Sequence, residues 1–287
     1  MRYFLGFLAT STAVALAVPA QAADTPHRDD FVMNSIGGGD FRGYILDHIS
    51  EGEALYQPMR TFGTVHNVMH QLMTELATHA RDDMEDEHVP DFSDRVSGGD
   101  WSAYREALED AGEDGDWAEL VQFLEIMHDR VHHAMYKAVI YDQQAMGRDA
   151  DVLDYVRDPK DASIGELLPD RDRIDATFMP LEEFRTALWE DQPEDRHWRA
   201  ATQSAMVFAQ LENQLTQQWI QYATDHKTGA CQPQIVGQAT QQDWAGYVDQ
   251  IVECDDAEWR DLVQAHDLAQ LHIHQALDHI ARHHGES

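Results

Sequence analysis

Four stretches of the chain repeat apolar residues at helical spacing. In the first, Leu55, Met59, Phe62, Val65, Met69, Leu72, Met73 and Leu76 recur every three or four positions, which predicts an amphipathic helix running to about residue 83. Ser50 and Glu53 stand in capping-box relation just upstream. A second stripe of Leu120, Phe123, Leu124, Met127, Val131, Ala134 and Ala138 predicts a helix over about residues 116–146. Trp198, Ala201, Ala205, Phe208, Leu215 and Trp219 mark a third over about 194–225. Leu262, Ala265, Ala269, Ile273, Ala276, Leu277 and Ile280 mark a fourth over about 255–283. Shorter helices are expected at about 101–111, 181–189 and 241–253, and strand patterns are nearly absent.

The pattern is written twice. Asp100-Trp101-Ser102-Ala103-Tyr104, followed by Trp117 and Leu120, returns as Asp243-Trp244-Ala245-Gly246-Tyr247, followed by Trp259 and Leu262, at an offset of about 142–143 residues. The same offset lays the first long helix over the third. The expected fold is therefore all-α: an antiparallel four-helix bundle built from two duplicated helical hairpins, each with a short accessory helix. The boundaries read as a signal peptide at 1–22, a flexible leader at 23–40 that ends in Gly37-Gly38-Gly39, a first hairpin at 41–146, an acidic Pro-containing linker at 147–193, and a second hairpin at 194–287.

Charge narrows the partners. With 53 acidic against 20 basic residues the formal net charge is −33, and the only lysines are Lys137, Lys160 and Lys227. Such a surface repels nucleic acid and anionic lipid, so neither is expected as a partner. It suits a salty medium that screens self-repulsion, as in a halophilic source, and it attracts cations. Arg2, an apolar run over residues 3–18 and Ala20-Gln21-Ala22 have the form of a cleavable export signal, which predicts a periplasmic or secreted protein after cleavage near Ala22. In that oxidising compartment Cys231 and Cys254, the only two cysteines, read as one disulfide.

The candidate chemistry lies in the first hairpin. His66 and His70 are four apart, so they share a helix face, and His128 and His132 repeat the relation on the next helix. With the two helix midpoints level, His66 lies near the height of His132 and His70 near that of His128. Neutral imidazole is the commonest metal ligand, so the four predict a transition-metal site. The thioethers of Met69, Met73 and Met127, with Met135, tilt the choice toward copper, with zinc next. These methionines also fit plain core filling. In the second copy the four histidine positions read Ala209, Asn213, Gln270 and His274.

Glu212 and His266 fall inside the apolar stripes of the third and fourth helices. They read either as a mutually satisfied buried pair or as further ligands of a carboxylate-histidine centre. The tail histidines His272, His274, His279, His283 and His284 mostly leave the apolar stripe and read as a solvated face. Two other functions compete with metal handling. A haem or redox bundle would use axial His or Met, without covalent attachment because Cys-x-x-Cys-His is absent. A non-metal structural, chaperone or small-ligand-binding bundle would use the helices alone. The chain carries no nucleophile elbow, P-loop, dinucleotide fingerprint or HExxH motif, so nothing in it names a substrate or argues for an enzyme.

Overall fold

The computed structural model describes residues 35–84, 115–148, 196–232 and 252–286. These residues form five α-helices and one 3-10 turn: α1 (Gly38–His48), α2 (Tyr56–Asp83), α3 (Gly115–Met146), α4 (Arg196–His226), the turn Gly229–Cys231, and α5 (Ala257–Glu286). No β-strand occurs among the described residues. The expected signal segment at 1–22, the short helices near 101–111, 181–189 and 241–253, and the linker beyond Arg148 lie outside them.

The four long helices cover the four apolar stripes, with the ends given above for the second to fourth met to within about three residues. The Glu53 carboxylate accepts the Ser50 N–H at 2.9 Å, but the helix opens only at Tyr56, with Leu55 at its N-cap and no side-chain cap bond, so the expected capping pair closes a turn before α2 rather than capping the helix. At α5, Asp256 accepts the Trp259 N–H at 3.0 Å, satisfying a donor that the first turn leaves open.

Side-chain contacts fix the directions. His197 at the start of α4 pairs with Asp82 at the end of α2 at 3.1 Å, so α2 and α4 are antiparallel. Tyr141 meets Trp259 at 5.2 Å and Trp117 meets His283 at 5.4 Å, so α3 and α5 are antiparallel. The same holds for α2 with α3, through His79 and Trp117, and for α4 with α5, through Tyr222 and Trp259. Backbones approach over the greatest length in the pairs α2–α4 and α3–α5, not within each sequence hairpin. Buried Ala201, Ala205 and Ala209 on α4, Ala134 and Ala138 on α3, and Ala265 and Ala269 on α5 leave room for such close approach. The seams α2–α3 and α4–α5 are wider, and polar side chains fill them.

Both ends of the molecule are closed by aromatics. Trp117 and Trp198 pack with His79 and His283 at one end. Tyr141, Tyr222, Trp219 and Trp259 pack at the other, where Lys227 lies 4.7 Å from the Tyr141 ring centre and pairs with Asp256 at 2.6 Å. The Cys231–Cys254 disulfide joins the turn after α4 to the residues before α5 at this second end.

Two expectations change. The leader does not run through residue 40: Ile36 is fully buried, and Gly38 opens α1, which buries Phe41, Tyr44 and Ile45. The glycine run that reads as flexible is a place where backbone packs closely. The tail is not a solvated face either. His272, His274, His279 and His283 are all buried, because α5 is covered by neighbours on more than the one side that an amphipathic stripe presumes. His279 stacks on Phe123 at 4.4 Å, and His272 hydrogen-bonds Gln275 at 2.9 Å.

By contrast α2 and α4 keep one solvent stripe each. Arg60, Thr64, Asn67, Gln71 and Thr74 are exposed on α2; Gln203, Val207, Gln210, Gln214 and Gln217 are exposed on α4. Each residue of the second set lies 143 positions after its counterpart in the first.

Candidate metal centre

Four residues of an α-helix nearly complete a turn, so His66 and His70 leave α2 together, and His128 and His132 leave α3 together. Because the two helices are antiparallel, the pairs meet in opposite order. The His66 ring lies 4.4 Å from His70 and 4.8 Å from His132. His128 lies 5.1 Å from His70 and 4.3 Å from His132. Across this circuit His70 and His132 are 5.9 Å apart. The heights expected from the 1.5 Å helical rise hold.

One nitrogen each from His66, His70 and His132 lies within 4.8 Å of the others. Among the described residues this is the group of His, Cys, Asp or Glu ligand atoms that could hold a metal ion. His128 walls the circuit but its nitrogens stand outside that group. Its Nδ1 lies 3.6 Å from the Asp129 carboxylate. His66 and His128 are buried, while His70 and His132 are partly exposed.

The tautomer of His132 follows from its partner. Its Nδ1 is 2.6 Å from the Ile36 carbonyl oxygen. A carbonyl only accepts, so Nδ1 carries the proton and Nε2 carries the lone pair. That Nε2 is buried with no hydrogen-bond partner. Burial, then the neighbouring His128 and His66 rings, hold the His132 pKa well below the usual histidine range. His132 is therefore neutral at neutral pH, and its buried Nε2 carries an unprotonated lone pair. A buried acceptor facing other imidazoles, with no donor supplied, is suited to a soft or borderline cation.

Met69, Met73 and Met127 are fully buried members of the apolar core cluster, as is Met135. Glu212 and His266 do not join the imidazole group; they form a centre of their own. His266 Nε2 lies 3.2 Å from Glu212 Oε1, the Gln270 amide donates to Glu212 Oε2 at 3.0 Å, and Thr216 donates to the same carboxyl at 3.3 Å. Burial pushes Glu212 up to about 8 and His266 down to about 3. The carboxyl thus keeps its proton at neutral pH and donates it toward the imidazole. Gln270 and Thr216 thus satisfy the Glu212 carboxyl from within the group, and the His266 imidazole lies beside it.

Sequence reasoning missed two participants, Ile36 and Gly38. A β-carbon on Gly38 would fall 2.1 Å from His66 Cε1, so the His66 ring lies directly against the backbone at that position. The signal was present as a glycine next to buried apolar residues at helical spacing, Phe41, Tyr44 and Ile45, but no spacing rule links it to position 66.

Comparison of the chain with family models, with curated proteins and with solved structures finds no match.

Proposed function

We propose that this protein is an exported metal-binding helical bundle that handles copper or zinc through His66, His70 and His132, with His128 as the fourth imidazole. The observation that carries the reading is the convergence of one nitrogen each from His66, His70 and His132 within 4.8 Å, together with the buried Nε2 of His132, which has no hydrogen-bond partner. Neutral imidazoles set lone pair against lone pair unless a proton or a metal ion stands between them, and a metal ion satisfies several at once.

The donor set and its disposition favour copper(II). Around a metal at about 2.0 Å from each nitrogen, ring centres sit about 4.5 Å apart in a square arrangement and about 5.2 Å apart in a tetrahedral one. Of the spacings within the converging group, His66–His70 at 4.4 Å and His66–His132 at 4.8 Å lie nearer the square value, and His70–His132 is longer at 5.9 Å, as across a square. Tetragonal nitrogen sites suit copper(II). The same spacings leave no slot for a porphyrin plane between these rings, so the haem alternative draws no support from them.

Three further observations fit the wider reading. The matching solvent stripes of α2 and α4, 143 residues apart, support a bundle made of two duplicated hairpins. The Cys231–Cys254 disulfide supports an oxidising compartment. No helix among the described residues is long and apolar enough to cross a membrane, and a net charge of −33 raises the local concentration of cations.

The test is titration of the metal-free protein with copper(II) and zinc(II), followed by calorimetry and electron paramagnetic resonance. One equivalent of copper(II) with hyperfine structure from at least three nitrogens is expected. Binding no tighter than that of an unstructured histidine-rich peptide would remove the proposal.

A further inference from the structure

The segment before α2 touches both sides of the imidazole group. Ile36 is fully buried and makes two bonds to His132 through its own main chain: its N–H donates to the His132 carbonyl at 3.4 Å, and its carbonyl accepts from the His132 ring Nδ1 at 2.6 Å. Two residues later Gly38 lies against the His66 ring, where any β-carbon would overlap Cε1, Nδ1 and Nε2 at 2.1–2.7 Å. His132 belongs to α3 and His66 to α2. One short strap therefore bears on two of the three converging imidazoles from two different helices.

The strap is held from its other end. Phe41 packs edge-on against Phe62 at 5.9 Å, one turn before His66 on α2. The Tyr44 hydroxyl donates to buried Asp142 of α3 at 2.6 Å. Arg148 pairs with Asp142 at 2.9 Å and also bonds Glu53 and the His48 carbonyl, tying the end of α1 to the end of α3. Docking of residues 35–48 and the shape of the site are thus set by the same contacts.

Granting the metal reading above, on which this rests, we propose that Ile36 and Gly38 are positioning residues of the site, and that metal binding is coupled to docking of the strap formed by residues 35–48. The Ile36 carbonyl holds His132 as the Nδ1–H tautomer, so that Nε2 is the metal-binding atom. Gly38 lets the backbone close on His66 and hold that ring in place. The coupling runs both ways by linkage: a docked strap raises metal affinity, and a bound metal ion strengthens docking by the same factor. The amino-terminal segment then controls uptake and release.

Two measurements test this. In the whole protein, amide exchange over residues 36–48 is followed with and without one equivalent of copper(II). Slower exchange on metal binding is expected, and unchanged exchange in protein that demonstrably holds copper would overturn the coupling while leaving the metal site intact. Copper affinity is then compared between Gly38→Ala and Gly39→Ala, both in the first turn of α1, where a β-carbon at position 39 meets nothing within 4 Å. Gly38→Ala is expected to bind about 10- to 100-fold more weakly, the range for groups that orient a ligand, and Gly39→Ala as wild type. Nitrogen-15 spectra of His132 should show the Nδ1–H form in wild type and a mixture in Gly38→Ala. Equal affinity in the two variants, or an unchanged His132 tautomer, contradicts the proposal. Wild-type protein that binds no copper at all removes the metal reading itself, and this inference with it.

Discussion

Between α2 and α3, His66, His70, His128 and His132 stand ring to ring. In the seam between α4 and α5, the positions 143 or 142 residues later are Ala209, Asn213, Gln270 and His274. Glu212 and Thr216, which follow Met69 and Met73 by the same 143 residues, bring the polar groups instead. The second seam gathers a carboxyl, an amide, a hydroxyl and an imidazole: Gln270 and Thr216 donate to Glu212, and His266 Nε2 lies 3.2 Å from Glu212 Oε1. The first seam gathers acceptors, and at His132 one is left over. Both seams lie between helices whose backbones approach less closely than α2–α4 and α3–α5. The same space can therefore stabilise a structure or receive a ligand, according to whether donors and acceptors balance.

The largest expected effect separates the seams by pH. Burial holds His266, His272 and His274 of α5 down at about 3. The unfolded chain takes up these protons near pH 6.5, and the folded chain does not. Their contribution to stability is therefore fully present above about 6.5 and is lost as pH falls toward 3. Each group contributes a slope of about 1.4 kcal/mol per pH unit, and Glu212, raised to about 8, opposes them with one such slope, so the net is about 3 kcal/mol per unit. That removes about 4 kcal/mol by pH 5, a large share of the stability of a typical domain. Circular dichroism should show acid unfolding near pH 5. Copper should lower that midpoint in wild type and not in a His66→Ala/His132→Ala variant, because protons and metal compete only in the first seam. A flat stability profile from pH 7 to 4 would contradict the burial of these rings.

Next in size is the variant itself. Removing two of three converging nitrogens in His66→Ala/His132→Ala should weaken copper binding by a factor of about a thousand, or about 4 kcal/mol, while the folded, metal-free protein persists. Glu212→Ala should do the reverse. It leaves Gln270 and Thr216 without their acceptor and His266 without the carboxyl proton, and should lower stability by about 2–4 kcal/mol in urea unfolding, with copper affinity unchanged. A Glu212→Ala protein that loses copper would mean that the two seams form one site.

How much of this could be read beforehand differs by element. The four long helices were legible because their apolar residues repeat at helical spacing, and the His66–His132 and His70–His128 levels followed from the rise per residue. The disulfide followed from there being only two cysteines. What could not be read was tertiary. A stripe says which side of one helix is buried, but α5 is buried on more than one side, so histidines that leave its stripe still lie inside. Hairpin order does not say which helices pack most closely, and small alanines draw α2 to α4 and α3 to α5. The roles of Ile36 and Gly38 depend on a main-chain carbonyl and a missing side chain, and neither leaves a residue pattern.

The smallest expected effect concerns sulfur. Met69→Leu and Met127→Leu keep volume and apolarity, so each should cost under about 1.5 kcal/mol and leave copper affinity within about twofold. A tenfold loss of copper(I) affinity would instead make a thioether a ligand and move the site deeper into the core.

The most direct test is anomalous diffraction at the copper absorption edge from crystals grown with one equivalent of copper(II). A single peak is predicted between α2 and α3, bonded to His66, His70 and His132 at about 2.0 Å. A peak at Glu212 and His266, or copper scattered over surface carboxylates with none among these imidazoles, would contradict the account.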